Sequence, residues 1–290
     1  MPPRKPRPPL TKARQAEGGT FKGTPLNPPL STEARYRNDL ERMIAQMRGE
    51  TEREMRRLHA TFGTMDAAQG WGLDAPSLAS QARILTNALA LKFQAAFARR
   101  ARGLADQLAR NVEGNSKTNL HASLKELSGG ISLRTSVVTP RLREAVKATI
   151  AENVGLIKSI PQEYFQRIQG AVMRNITAGR GTAGILDTIE RIGAVTTRRA
   201  ALIARDQTSK ATTAVNSARM SALGIRKFEW LHSSGGKEPR PLHVELSGQV
   251  FSLDDPPVID DKTGERGLPG QLINCRCRMV PVVDFGSEDE

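Results

Sequence analysis

Hydrophobic positions recur at helical spacing over most of this chain and change to strand-like alternation only after about residue 225. From Ser31 to about His59 a background rich in Arg and Glu carries Leu40, Met43, Ile44, Met47, Met55 and Leu58 on one helical face. A narrow apolar stripe on so charged a helix predicts a surface element that packs on a neighbour. Gly70, Gly72 and Asp74-Ala75-Pro76 then interrupt the pattern. Leu78, Leu85, Leu89, Phe93, Phe97, Leu104 and Leu108 follow and predict the longest helix, from about Pro76 to Val112. Thr139-Pro140 opens the next helix, since a Thr cap accepts an orphan amide and proline at the first position has no amide to leave unpaired. That helix is expected to reach Ile157. Ser159-Ile160-Pro161 predicts a fresh start, with Phe165, Ile168, Val172 and Ile176 on one face and Gly179 closing it. A short helix through Ile185, Ile189 and Ile192 and a long one from Thr196 to Leu223 complete the helical part.

Past Gly224 the residues Phe228–His232 and Gln249–Leu253 read as short strands separated by glycine-rich turns. Cys275 to Val283 alternates, which predicts a strand with Cys275, Cys277 and Met279 on one face. The fold class is therefore mainly α with a smaller C-terminal α+β domain. Four regions are expected: a disordered basic, proline-rich arm over 1–30, a helical region over 31–135, a C-terminal domain over 136–283 and an acidic tail over 284–290.

Charge changes this picture at the two ends. The chain has 43 Lys and Arg against 30 Asp and Glu, a net charge of +13, which concentrates polyanions around it. Residues 1–29 hold eight prolines, and Arg4, Lys5, Arg7, Lys12, Arg14 and Lys22 are opposed only by Glu17. Such a segment has too little apolar surface to offset its chain entropy, and it is expected to be an extended arm, either simply solvated or lying along nucleic acid. Its candidate DNA-contacting residues are Arg4, Lys5, Arg7, Lys12 and Arg14. Aromatics make up only 4% of the chain, so contact with phosphates is favoured over base reading. No run of about 18 apolar residues and no apolar leader occurs, so neither a membrane span nor a secretory signal is expected.

The candidate chemistry lies in Trp230–Pro281, which contains His232, His243 and both cysteines of the chain, Cys275 and Cys277. Two thiolates and two imidazoles form a ligand set that tetrahedral zinc accepts. The Cys-x-Cys spacing is shorter than the usual zinc pair, and a disulfide within it would be strained. Three readings stay open: a structural zinc on His232, His243, Cys275 and Cys277, two reduced cysteines packed in a small core, or an intermolecular disulfide or other redox role.

The same stretch belongs to a longer ordered set. Ala204-Arg205-Asp206-Gln207, Asn216, Gly224, Trp230, Arg240-Pro241-Leu242-His243, Gly248, Asp255-Pro256-Pro257 and Leu268-Pro269-Gly270 lead to Ile273-Asn274-Cys275-Arg276-Cys277 and Pro281. Over about Val154 to Val283 this succession resembles the C-terminal domain of the phage Mu F-like minor head proteins, a head morphogenesis family. The residues carrying the likeness are Arg205, Asp206, Trp230, Arg240, His243, Gly248, Asn274, Cys275, Arg276 and Cys277. Many relatives have an Asp shortly after the Trp, where this chain reads Ser233-Ser234-Gly235-Gly236-Lys237. The resemblance implies a minor component of tailed-phage heads, assembled in the host cytoplasm, carried in the virion and not an enzyme. Its implied partners are the portal protein, the major capsid or scaffolding protein, and packaged double-stranded DNA bound without sequence preference, with no membrane and no small-molecule substrate. The competing expectation is a metal-dependent nuclease or DNA-processing enzyme using Arg205, Asp206, Arg240 and His243.

Overall fold

A computed structural model of the chain describes residues 19–62, 78–127, 135–136, 138–178, 184–235 and 238–285. The elements run β1 (Gly19–Lys22), α1 (Leu30–Phe62), α2 (Leu78–Leu127), α3 (Pro140–Thr177), α4 (Ile185–Ala222), β2 (Lys227–Leu231), α5 (Pro241–Glu245), β3 (Val250–Ser252) and β4 (Arg278–Phe285). The fold is mainly α with one small antiparallel sheet, as the change of periodicity predicts. The chain forms two compact units: one from Met1–Glu33, Gln107–Thr149 and Arg205–Glu290, the other from Ala34–Asp106 and Ile150–Ala204. The division does not fall near residue 135, because α2, α3 and α4 each give one part to either unit.

The second unit is helical. Leu40, Met43, Ile44 and Met47 of α1 are buried, as are Leu89, Phe93 and Phe97 of α2 and Ile160, Phe165 and Ile168 of α3. Phe93 stacks on Phe165 at 6.0 Å between ring centroids. The Tyr36 hydroxyl donates to Asn153 Oδ1 at 2.9 Å, so these two buried polar groups satisfy each other. Helix α3 starts at the expected cap, where Thr139 Oγ1 accepts from the Leu142 amide at 3.2 Å. It then continues through Pro161 where a restart is expected. Proline inside a helix costs about 3 kcal/mol, but Ile157, Ile160, Tyr164 and Phe165 are all buried on either side of it, and their packing outweighs that local cost. Helix α4 likewise runs unbroken through Gly193, where a Cβ would come within 2.5 Å of Arg48 Cδ. That glycine makes room for a neighbouring side chain and ends nothing. The breaks expected at Gly70–Pro76 and at Gly179 lie outside the described residues.

The first unit holds the sheet, in the order β1-β4-β2-β3 with every pair antiparallel. Its core joins Leu120 and Leu124 of α2 to Met220, Phe228, Trp230, Leu246, Leu253, Ile259, Leu268 and Met279. Burial of Leu120 and Leu124 explains why α2 runs to Leu127 and not to Val112: its polar Ser116 is itself buried and hydrogen-bonded to Asn216 Oδ1 at 2.5 Å. Two further expectations need correction at the chain ends. From Gly19 onward the basic arm is structured, since β1 pairs with β4, Gly23 and Leu26 donate to the carbonyls of Pro281 and Met279, and Leu26 is buried. Arg4, Lys5, Arg7, Lys12 and Arg14 lie outside the described residues. At the other end Asp284 and Phe285 belong to β4 and not to a frayed tail.

Candidate metal centre

Strand β4 begins at Arg278, so Cys275 and Cys277 lie in the loop that precedes it and not on the strand. Backbone pairing of Trp230 with Met279 sets that loop beside the end of β2. Its conformation is held largely by one face of α4. Asp206 Oδ1 accepts from the Asn274 amide at 3.2 Å, Thr213 Oγ1 donates to the Pro269 carbonyl at 2.6 Å, and Ser209 Oγ donates to the Cys275 carbonyl at 3.5 Å. Residues 206, 209 and 213 share a helix face, so a buried polar stripe supplies the partners that an irregular loop cannot find within itself. Asn274 has φ of 61°, a left-handed turn that Asn tolerates better than most residues. Arg240 and Arg276 brace the loop from outside, donating to the carbonyls of Ile273 at 3.0 Å and Gly235 at 2.6 Å.

The loop presents both sulfurs to His243, which α5 carries in one short turn. Cys275 Sγ lies 3.4 Å and Cys277 Sγ 3.6 Å from His243 Nδ1. The three donor atoms are all within 4.8 Å of one another, and all three residues are buried. His243 Nε2 stands 3.0 Å from the Ile259 carbonyl, which can only accept, so Nε2 carries the hydrogen and Nδ1 is turned to the sulfurs. The Gly270 amide donates to Cys275 Sγ at 3.3 Å. Trp230 packs edge-on against the His243 ring at 5.0 Å and is fully buried.

Electrostatics single out one sulfur. The Cys275 thiol is held down to about 4, first by the hydrogen bond from Cys277 and then by His243, against the opposing effect of burial. Cys277 is pushed up, because its bond to Cys275 keeps the proton on it and burial disfavours its thiolate. For His243 burial is the largest effect and lowers its pKa, but the hydrogen bond and charge of Cys275 together with the Ile259 carbonyl outweigh it and leave the imidazole raised.

Of the four metal-ligand candidates, three come together and His232 does not. The chain leaves β2 at Leu231, and the His232 ring turns back so that Nδ1 accepts from the Ser234 amide at 3.3 Å. Of Arg205, Asp206, Arg240 and His243, the set expected for a nuclease, the first three make structural contacts and His243 faces the two cysteines. Arg205 lies 3.9 Å from Glu33, Asp206 holds Asn274 and pairs with Lys210 at 3.1 Å, and Arg240 holds Ile273. Among the described residues no cluster of three or more His, Cys, Asp or Glu donors gathers around Asp206. Sequence reading overlooked the part played by Ser209 and Thr213, which face the loop from α4, and by Gly270 within the loop.

Comparison with known proteins gives the lineage. An uncharacterized protein of Haemophilus influenzae is 31% identical over 280 residues, which cover 96% of this chain and 58% of that protein. The chain thus spans somewhat over half the length of that relative. No solved structure matches. Residues 166–280 match the family described as Phage Mu protein F like protein, a span that includes Asp206, the whole of the loop and all three donors. Over residues 166–280 the chain is thus similar to the phage Mu F-like family.

Proposed function

We propose that the protein is a minor capsid and head morphogenesis component of a tailed phage, a structural part of the virion that sits at the portal or on the capsid interior. The observation that carries this reading is the family match over residues 166–280. It is supported by how the family-motif residues are used: Asp206, Arg240, Asn274 and Arg276 brace a loop, and Arg205 lies beside Glu33. The long helices supply extended surfaces suited to assembly, and no helix among the described residues is long and apolar enough to cross a membrane. The arm with Arg4, Lys5, Arg7, Lys12 and Arg14 contributes contacts to the phosphates of packaged DNA. Portal protein is the first partner, ahead of major capsid or scaffolding protein. Co-expression with the portal protein of the same phage tests this: the two should co-purify through size-exclusion chromatography. Failure to associate with portal, capsid or scaffolding protein, together with metal-dependent nicking of DNA that is lost in His243→Ala, would replace it with the nuclease reading.

A further inference from the structure

We infer that His243 Nδ1, Cys275 Sγ and Cys277 Sγ bind one zinc ion, which ties α5 to the loop that leads into β4. Independent features of the geometry converge on a cation at this point. The three donors lie within 4.8 Å of one another in a buried position, so one ion can reach all of them without large movement. The imidazole is oriented for ligation: with Nε2–H given to the Ile259 carbonyl, the Nδ1 lone pair is the one that faces the sulfurs, an arrangement that fixes both tautomer and ring plane in metal sites. Cys275 Sγ accepts an amide hydrogen from Gly270, and the buried Trp230 ring packs against His243. An N–H donated to sulfur favours the thiolate over the thiol. Both cysteines are free, so neither sulfur is consumed in a disulfide.

The donor chemistry selects the metal. One imidazole and two thiolates form a soft set that suits zinc and excludes magnesium and calcium, whose ligands are oxygen. Three protein donors account for three corners of a tetrahedron. Among the described residues no fourth His, Cys, Asp or Glu joins them, so water or another small donor takes the fourth place. His232 is not a ligand. The ion acts as a staple, because its ligands come from α5 and the β4-leading loop, while Ile259, which orients His243, comes from a third segment.

This inference is independent of the head-protein reading and fails or stands by itself. The test uses the full chain purified under reducing conditions. Elemental analysis should find about one zinc per chain, and chelation should lower the melting temperature. Replacement by Co²⁺ should give near-ultraviolet thiolate-to-cobalt charge transfer and tetrahedral d–d bands. His243→Cys, which exchanges one ligand for another, should keep the metal and raise the charge-transfer intensity about 1.5-fold, from two thiolates to three. Cys275→Ser with Cys277→Ser should abolish the bands, while His232→Ala should leave them unchanged. A chain that binds neither zinc nor cobalt would overturn the inference, as would cobalt bands that persist in the double serine variant. Packed thiols without a metal would then remain.

Discussion

Gly270 concentrates the demands of the candidate site in one residue. Its φ of 88° is left-handed, its amide donates to Cys275 Sγ, and a Cβ added there would stand 2.7 Å from Ser209 Oγ and 3.0 Å from Thr213 Oγ1. Both hydroxyls are engaged with the loop and cannot simply move aside. Gly270→Ala should therefore lower stability by about 1–3 kcal/mol, measured by denaturant unfolding, and should reduce bound metal. An effect below a few tenths of a kcal/mol would mean the loop is not held as described. At this scale the sequence was informative about which residues matter and less so about their geometry. His243, Cys275 and Cys277 stand out as rare residue types gathered in one stretch. His232 stands out equally, and only the end of β2 at Leu231 removes it from the cluster. The hydroxyls of Ser209 and Thr213 carry no such signal, because Ser and Thr are common on any helix.

The elements differ in how plainly their residues announce them. The cap at Thr139-Pro140 is a local signal and the structure obeys it. The restart expected at Pro161, the gap expected between Ile192 and Thr196 and the end expected at Val112 are local readings too, and the structure overrides them. In each case burial or fit to a side chain distant in sequence decides, which no local window contains. The strand at Gly19–Lys22 is a further case: four residues beside a proline-rich arm look like more arm, and become a strand because β4 offers an open edge. That edge contains a pH-sensitive link. Asp284 accepts from Lys227 Nζ at 2.7 Å and from Thr20 Oγ1 at 2.6 Å, and these bonds, Lys227 first, hold its carboxyl below the usual value of 3.8. With the folded pKa below the unfolded one, the link is fully present above pH 3.8 and is lost as pH falls through the depressed value. The group is mostly exposed, so the contribution should be roughly 0.5 kcal/mol or less. Amide exchange at Phe21 and Lys22 should accelerate relative to the rest of the sheet as carboxyls protonate, and Asp284→Asn should remove that pH dependence. Exchange at β1 that is indifferent to Asp284 would contradict the assignment.

At the scale of the whole molecule, the likeness to the phage Mu F-like family over residues 166–280 was legible in the sequence because it rests on the order of motifs, which folding does not rearrange. The division into two units was not, since each is assembled from stretches far apart in the chain. In the proposed function, the net charge of +13 and the basic residues at its beginning serve contact with packaged DNA. Replacing Arg4, Lys5, Arg7, Lys12 and Arg14 by Ala should lessen the slope of log affinity against log salt by up to about 4.5 for duplex DNA, with no change in sequence preference. An unchanged slope would take the arm out of DNA contact. The claim on which the function turns is that this chain is a structural part of the head. Quantitative mass spectrometry of proheads and mature heads purified from the phage that encodes it measures this directly. The account predicts the protein in both particles at a few copies relative to the portal ring, and its absence from both would contradict it.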